Sequence, residues 1–249
     1  MQTVIPKISA ALTSLLRADL KTQWRNRRSV VLLLLVPVII LISWKGLIAK
    51  MGGAFALSTC ITIGLTAIGL MGYSNAIARD RDKGVFQRLR VTPVPTWSIM
   101  VSRLFVQLLM ILLVTTFVFI VGSEYDKVNL TPAGYALSYL TALVGGAMYL
   151  GLGQMIVGLV KNAETVNSTT RLVYFLFIMV GMFGDLGVLG KELQQIIRWS
   201  PYGTVKNILA SSMQPANWDN TSTLALLATI GYAILFSYLG IKNFKWNTN

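Results

Sequence analysis

Uncharged stretches dominate the chain and set its expected architecture in advance of any motif. Charges are missing from 29–44, 51–78, 104–123, 128–160, 172–184 and 220–241. A helix needs about 20 mostly apolar residues to cross the hydrocarbon layer. The gaps therefore predict six spans, at about 29–48, 53–78, 102–122, 135–160, 172–187 and 220–241. Thr131-Pro132 reads as the start of the fourth, a capping hydroxyl followed by proline in the first turn. The fifth is expected to be short. It runs into Gly181, Gly184, Gly187 and Gly190, and Asp185 marks its end. Leu193, Ile196 and Ile197 then share one side of a brief amphipathic helix over 189–199, too short and too charged to span. This segment is placed as a re-entrant or interfacial element on the outer side, before the last span.

Residues 12–28 carry a different pattern. Leu12, Leu15, Leu16, Leu20 and Trp24 recur at helical spacing beside a basic stripe of Arg17, Lys21, Arg25 and Arg28. That fits a helix lying in the membrane interface, or simply the positive flank of the first span. The fold class expected is an all-α polytopic membrane protein forming a single transmembrane domain over 1–249, with 1–28 as a cytosolic interfacial helix. The first apolar core begins only near residue 30, behind basic residues, so an uncleaved anchor is expected rather than a signal peptide.

Composition agrees with this reading. Hydrophobic residues make up 54% of the 249 and charged residues 12%, with a mean hydropathy of +0.63. Soluble domains carry roughly 25% charge. The net charge of +13 would suggest nucleic acid in a soluble protein, but here its distribution explains it. With both termini inside, inner segments hold 16 Lys and Arg and outer segments 6. The positive-inside rule then expects N-in and C-in in the plasma (inner) membrane, with anionic lipid as the basic residues' partner and no nucleic acid.

Several chemistries lack their residues. There is no histidine, and Cys60 stands alone in an apolar run, so neither a disulfide nor a Cys-x-x-Cys metal site can form within the chain. No metal site and no catalytic residue are expected. No acid or base sits mid-span, where coupled transporters usually bind their ion. No GxxxxGK[ST] loop is present, so any nucleotide site belongs to another chain.

The stretch 79–98 is the largest inner loop. Val85, Phe86 and Leu89 form a small apolar face at helical spacing amid charge, and Pro93 and Pro95 end the helix. Such a helix, held between two spans, can dock in a groove of a cytosolic partner. A solvated basic loop is the plainer alternative.

The segment Asp80-Arg81-Asp82-Lys83-Gly84, Val85-Phe86, Arg88-Leu89-Arg90 and Thr92-Pro93-Val94 resembles the signature of type-2 ABC exporter permeases, of the drug- and antibiotic-export kind. Arg25-Asn26-Arg27 ahead of a span with Pro37 is similar to that family's approach to its first span. Residues 158–164 resemble its second inner loop. Ser200-Pro201-Tyr202 with Lys206-Asn207-Ile208-Leu209 resembles its outer segment. The family often has Glu where Asp80 and Asp82 stand, Thr near Val85 and Glu near Gln87.

The resemblance implies a permease subunit of an ATP-driven exporter, paired with a second copy or paralogue and with a dimeric cytosolic ABC ATPase that holds ATP and Mg. It implies a hydrophobic or amphiphilic substrate: a drug, antibiotic, peptide or lipid-like compound. ATPase coupling would fall to Asp82, Gly84, Val85, Phe86, Arg88, Leu89, Arg90 and Pro93, with Phe86 as main anchor. The second and fifth spans would line the path, through Thr59, Thr62, Thr66 and Tyr73 on one and Tyr174, Phe175, Met179, Met182 and Phe183 on the other. Plain helix packing, with hydroxyls bonded to backbone, is the alternative for these residues. The glycines of the fourth span are expected to allow close packing. A polysaccharide-exporting permease of the same superfamily and a secondary transporter without an ATPase are the competing functions.

Overall fold

A computed structural model describes residues 8–90, 96–185 and 190–244, and every regular element among them is helical. Helix α1 (Ile8–Arg25) precedes α2 (Arg27–Ser43), which continues through Pro37 and stops at Trp44; the short α3 (Lys45–Met51) follows. Gly52, at φ +88°, turns the chain into a continuous 30-residue rod, Gly53–Asp82. The rod consists of α4 (Gly53–Thr66), a π-helical stretch (Ala67–Ser74) and α5 (Asn75–Asp82). Then come α6 (Val85–Arg90), α7 (Thr96–Glu124), α8 (Pro132–Leu159), α9 (Ala163–Asp185), α10 (Lys191–Trp199), α11 (Pro201–Met213), a 3₁₀ turn (Pro215–Asn217) and α12 (Asn220–Asn243).

Five of these helices are long and apolar enough to cross a membrane: Gly53–Asp82, Ser98–Glu124, Pro132–Leu159, Ala163–Gly184 and Asn220–Asn243. The first expected span is a 17-residue helix, broken at Trp44 before Lys45. The fifth expected span is not short. Its helix starts at Ala163 and runs 23 residues, capped by Asn162, whose Oδ1 accepts from the Glu164 N–H at 2.7 Å. Glu164 and Arg171 lie in the first turns, where a helix can carry charge and where an acid suits the dipole. The second expected span likewise extends past residue 78, to Asp82. At about 1.5 Å per residue the rod outreaches a hydrocarbon layer about 30 Å thick.

Two local expectations are met. Thr131 caps α8, accepting from the Gly134 N–H at 3.0 Å, and the short amphipathic helix before the last span is present as α10. What the pattern of charges did not reveal is α11. Ser200 caps it, and it buries Tyr202, Val205, Ile208, Leu209 and Met213 against α4, α8 and α12.

The rod and α8 form the centre. Helix α8 packs on the π-helical stretch on one side and along α12 on the other. Backbone proximity at these crossings depends on small residues. A Cβ on Gly69 would stand 2.5 Å from the Tyr149 carbonyl oxygen, and one on Gly158 2.7 Å from that of Gly240. The glycines of the fourth span thus serve close packing, as van der Waals association of membrane helices requires. Helix α1 lies along α7 with Trp24 and Arg25 exposed.

Candidate functional site

A closely tied region is the end of the bundle that carries α6. Gly84 makes the turn between α5 and α6 at φ +66°, a left-handed conformation that suits glycine, and its N–H bonds the Arg81 carbonyl at 3.0 Å. This turn folds α6 back so that Phe86 enters the chain's own interior, with no exposed surface. Its ring meets Phe244 edge-on, centroids 5.9 Å apart, and the Arg103 guanidinium lies 5.0 Å from its centroid. Arg103 in turn pairs with Asp80 at 2.5 Å. A cation over an aromatic face contributes about 0.5–2 kcal/mol, more as water is excluded.

This corrects one expectation. Phe86 is not a protruding knob, because its apolar ring finds a better-buried site between α7 and the end of α12 than on a charged loop. What α6 presents outward is Gln87 and Arg88, with Asp82 and Lys83 beside them and Val85 half-covered. Arg88 donates to the Lys83 carbonyl at 2.8 Å, which lays it along the turn. Pro93 lies outside the described residues, as do the side chains of Leu89 and Arg90.

Arg81 is the residue that reading the sequence missed. It is 2% exposed and its guanidinium donates to the carbonyls of Val157 and Val160, each at 2.8 Å, and to that of Lys161. These are carbonyls at and just past the end of α8. That helix ends at Val160 in extended backbone, without a left-handed glycine, so its last carbonyls need outside donors. A cation there also complements the helix dipole. Next to it, Asp82 Oδ2 accepts from the Ala163 N–H at 3.3 Å, at the start of α9. One two-residue step therefore ties the rod to the α8–α9 turn. An available signal was a helix due to end near Gly158 with no capping residue, and an arginine wedged between two acids.

Helix α1 joins the same cluster. Ser102 Oγ donates to Asp19 Oδ2 at 2.6 Å. Burial pushes the Asp19 carboxyl above its ordinary range, outweighing the downward pull of the Ser102 hydroxyl and of Arg103. The end of α5 and α6 together form a bracket: Phe86 of α6 packs against Arg103 of α7 and Phe244 after α12, and Arg81 and Asp82 of α5 bond the α8–α9 turn.

The expected path residues are only partly brought together. Thr59, Thr62 and Thr66 are fully buried, and their hydroxyls donate to the carbonyls of Phe55, Ser58 and Thr62 at 2.7–2.8 Å. They serve packing in the single chain, since a hydroxyl in an apolar helix is cheapest to satisfy on the preceding turn. Tyr73 turns to Gln154, donating to its Oε1 at 2.8 Å. Tyr174 instead lines a cleft of about 790 Å³ between α2, the rod and α9. The face of the rod in that cleft carries Ala67, Met71, Asn75 and Arg79, and α9 adds Arg171. Phe175 and Phe183 are exposed, and Met179 and Met182 half-buried, along one face of α9.

Comparison with known proteins accords with this architecture. Over 232 residues the chain is 25% identical to the Bacillus subtilis (strain 168) protein named Putative transport permease YvfS, covering 89% of this chain and 92% of that one. Residues 10–214 match the family model described as ABC-2 type transporter. Membership makes the chain a membrane-embedded transport subunit, not itself catalytic, and implies an ABC ATPase as partner. Matched by that model over most of its length, this chain belongs to the ABC-2 type transporter family.

Proposed function

We propose that this protein is the permease of an ATP-driven exporter that moves a hydrophobic or amphiphilic compound, such as a drug, antibiotic, peptide or lipid-like molecule, out of the cell. The observation that carries this reading is the bracket: a short helix between two spans, anchored through Phe86 and through Arg81 and Asp82 at the preceding helix end, and presenting Gln87 and Arg88 outward. ATP and Mg bind on the dimeric cytosolic ATPase. Closure of that dimer pushes α6, and the bracket passes the motion to α7, α8, α9 and α12. Arg88 steers α6 toward acidic ATPase surface. A second copy or a paralogue completes the path. Co-purification tests this directly: a tagged chain brings down an ABC ATPase in stoichiometric amount, and purification without one refutes the reading.

In this reading both termini face the cytosol, α2 is the first of six spans, and α10 with α11 forms the outer segment before the last. The 16-to-6 asymmetry of basic residues supports that orientation. In a Cys60→Ser background, single cysteines replacing Ser123 and Asn217 label with an impermeant maleimide added outside whole cells. One replacing Gln87 does not. External labelling at Gln87 reverses the topology.

The face of α9 with exposed Phe175 and Phe183 and half-buried Met179 and Met182, beside the Tyr174 cleft, supplies adaptable apolar wall for varied shapes. Met179→Trp and Met182→Trp narrow that wall. They are expected to change which compounds are exported, with complex assembly and basal ATP hydrolysis retained. Overpacking a helix contact would instead cost about 1–3 kcal/mol and lower the yield of assembled complex. Resistance to a panel of amphiphiles, read beside expression, separates the two.

A further inference from the structure

A second cavity, of about 330 Å³, lies between α7, α8 and α12, separate from the cleft that Tyr174 lines. Its walls are mostly apolar, with Leu104 and Leu108 of α7, Leu150 of α8 and Phe244 beyond α12. Leu104 and Ile241 at its margin are exposed on two helices apolar enough to span, so an occupant arrives from the membrane. Among the described residues, no charged side chain lines it. Three polar groups do: Tyr73, Gln154 and Ser237. The Tyr73 hydroxyl engages Gln154 Oε1. Among the described residues, neither Gln154 Nε2 nor Ser237 Oγ has a hydrogen-bond partner. Unused donors in an apolar setting are costly, and an acceptor oxygen would satisfy them.

We propose that this cavity binds the ester-bearing end of an uncharged membrane lipid, an acylglycerol-type molecule, with its carbonyl oxygen on Gln154 Nε2 and Ser237 Oγ and its chain along α7. Three features select that class. The absence of lining charge disfavours an ionic group, the paired donors call for an acceptor, and the lipid-side opening admits an acyl chain. The volume is about twice that of a 150 Å³ apolar cavity that takes up benzene. Phe244 stands between this cavity and Phe86, so an occupant supports the α6 bracket from behind. The site does not depend on the exporter reading, and of the residues expected along the path on the second and fifth spans it includes only Tyr73.

The test uses the full chain in phospholipid nanodiscs and a monoacylglycerol carrying a diazirine in its chain. After photolysis, label is expected on peptides of α7 and the end of α12 around the cavity, saturating with probe and displaced by unlabelled monoacylglycerol. Leu227 and Ile234, exposed elsewhere on α12, report unselective contact. Ala147→Phe, which fills the cavity from α8, is expected to cut the saturable label at least fivefold and leave the Leu227–Ile234 label unchanged. Should that variant not assemble, Ser237→Ala asks the same question without added bulk and is expected to cut it at least threefold. A diazirine alkane without the ester is expected to label the cavity no more than the Leu227–Ile234 segment. Cavity labelling that never exceeds that segment, or that survives both substitutions, overturns the site. Equal saturable labelling by the alkane overturns the assignment of ligand class.

Discussion

Arg81→Met is expected to be strongly destabilising. It keeps bulk and removes every donor. The carbonyls of Val157, Val160 and Lys161 lose their common partner. A hydrogen bond from a charged donor contributes about 1.5–3 kcal/mol. The three share one guanidinium and are not additive, so a loss of about 3 kcal/mol or more is the expectation. At about 2–4 °C per kcal/mol for a chain of this size, the melting temperature in detergent should fall by roughly 6–12 °C. Arg81→Lys keeps a cation near the end of α8 but reaches fewer carbonyls, and should lie between. The measurements are melting temperature and the monodisperse fraction on size exclusion. A methionine variant that melts with the wild type would show that the α8 end satisfies itself.

Phe86→Ala is expected to disconnect α6 while leaving the bundle inserted. Truncating a fully buried phenylalanine costs about 3–5 kcal/mol, and this ring also carries the Arg103 and Phe244 contacts. The loss falls on a six-residue helix that has few other apolar anchors. Stimulation of ATP hydrolysis by transport substrate should drop at least tenfold, with membrane insertion normal. Phe86→Leu should recover part of it. Gln87→Ala and Arg88→Ala, on the exposed face, should instead weaken association with the ATPase and leave the melting temperature unchanged. Full stimulation in Phe86→Ala would mean that α6 transmits without its attachment to α7 and α12.

The two experiments probe opposite ends of one bracket, and they differ in how legible they were. Phe86 stood out because an aromatic residue in a charged loop has to bury itself somewhere. Its destination was not legible, since Arg103 and Phe244 are remote in sequence from each other and from α6. Arg81 looked like one basic residue in a basic loop. Only the arrival of the α8 end beside α5 makes it a cap. Thr59, Thr62 and Thr66 illustrate the converse. Their spacing on one helical face was readable, and both lining a path and bonding to backbone were consistent with it. Burial of that face within the chain left the preceding carbonyls as acceptors.

Length and charge also misled in one place. The fifth span read as short because Arg171 interrupts its apolar run. Helical geometry tolerates a charge within the first turns, where the side chain can reach polar surroundings, so the helix extends back to Ala163. Helix α11 escaped notice for a related reason. At 13 residues it cannot cross a bilayer, and its apolar face is covered by other helices rather than by lipid.

From the sequence alone follow the membrane-embedded all-helical class, the approximate position of the long helices, the cap at Thr131, and the basic bias that supports one orientation. These are properties of local runs: hydropathy, helix-end chemistry and charge act over one or two turns and need no knowledge of the partner element. Tertiary structure decided where Phe86 goes, what Arg81 holds, which face of the rod meets the cleft, and that Tyr73 and Gln154 share a cavity with Ser237. Each of those depends on helices far apart in sequence approaching through small residues such as Gly69 and Gly158. Close packing of this kind is set by the fit of surfaces in three dimensions, which a one-dimensional pattern of apolar residues does not contain.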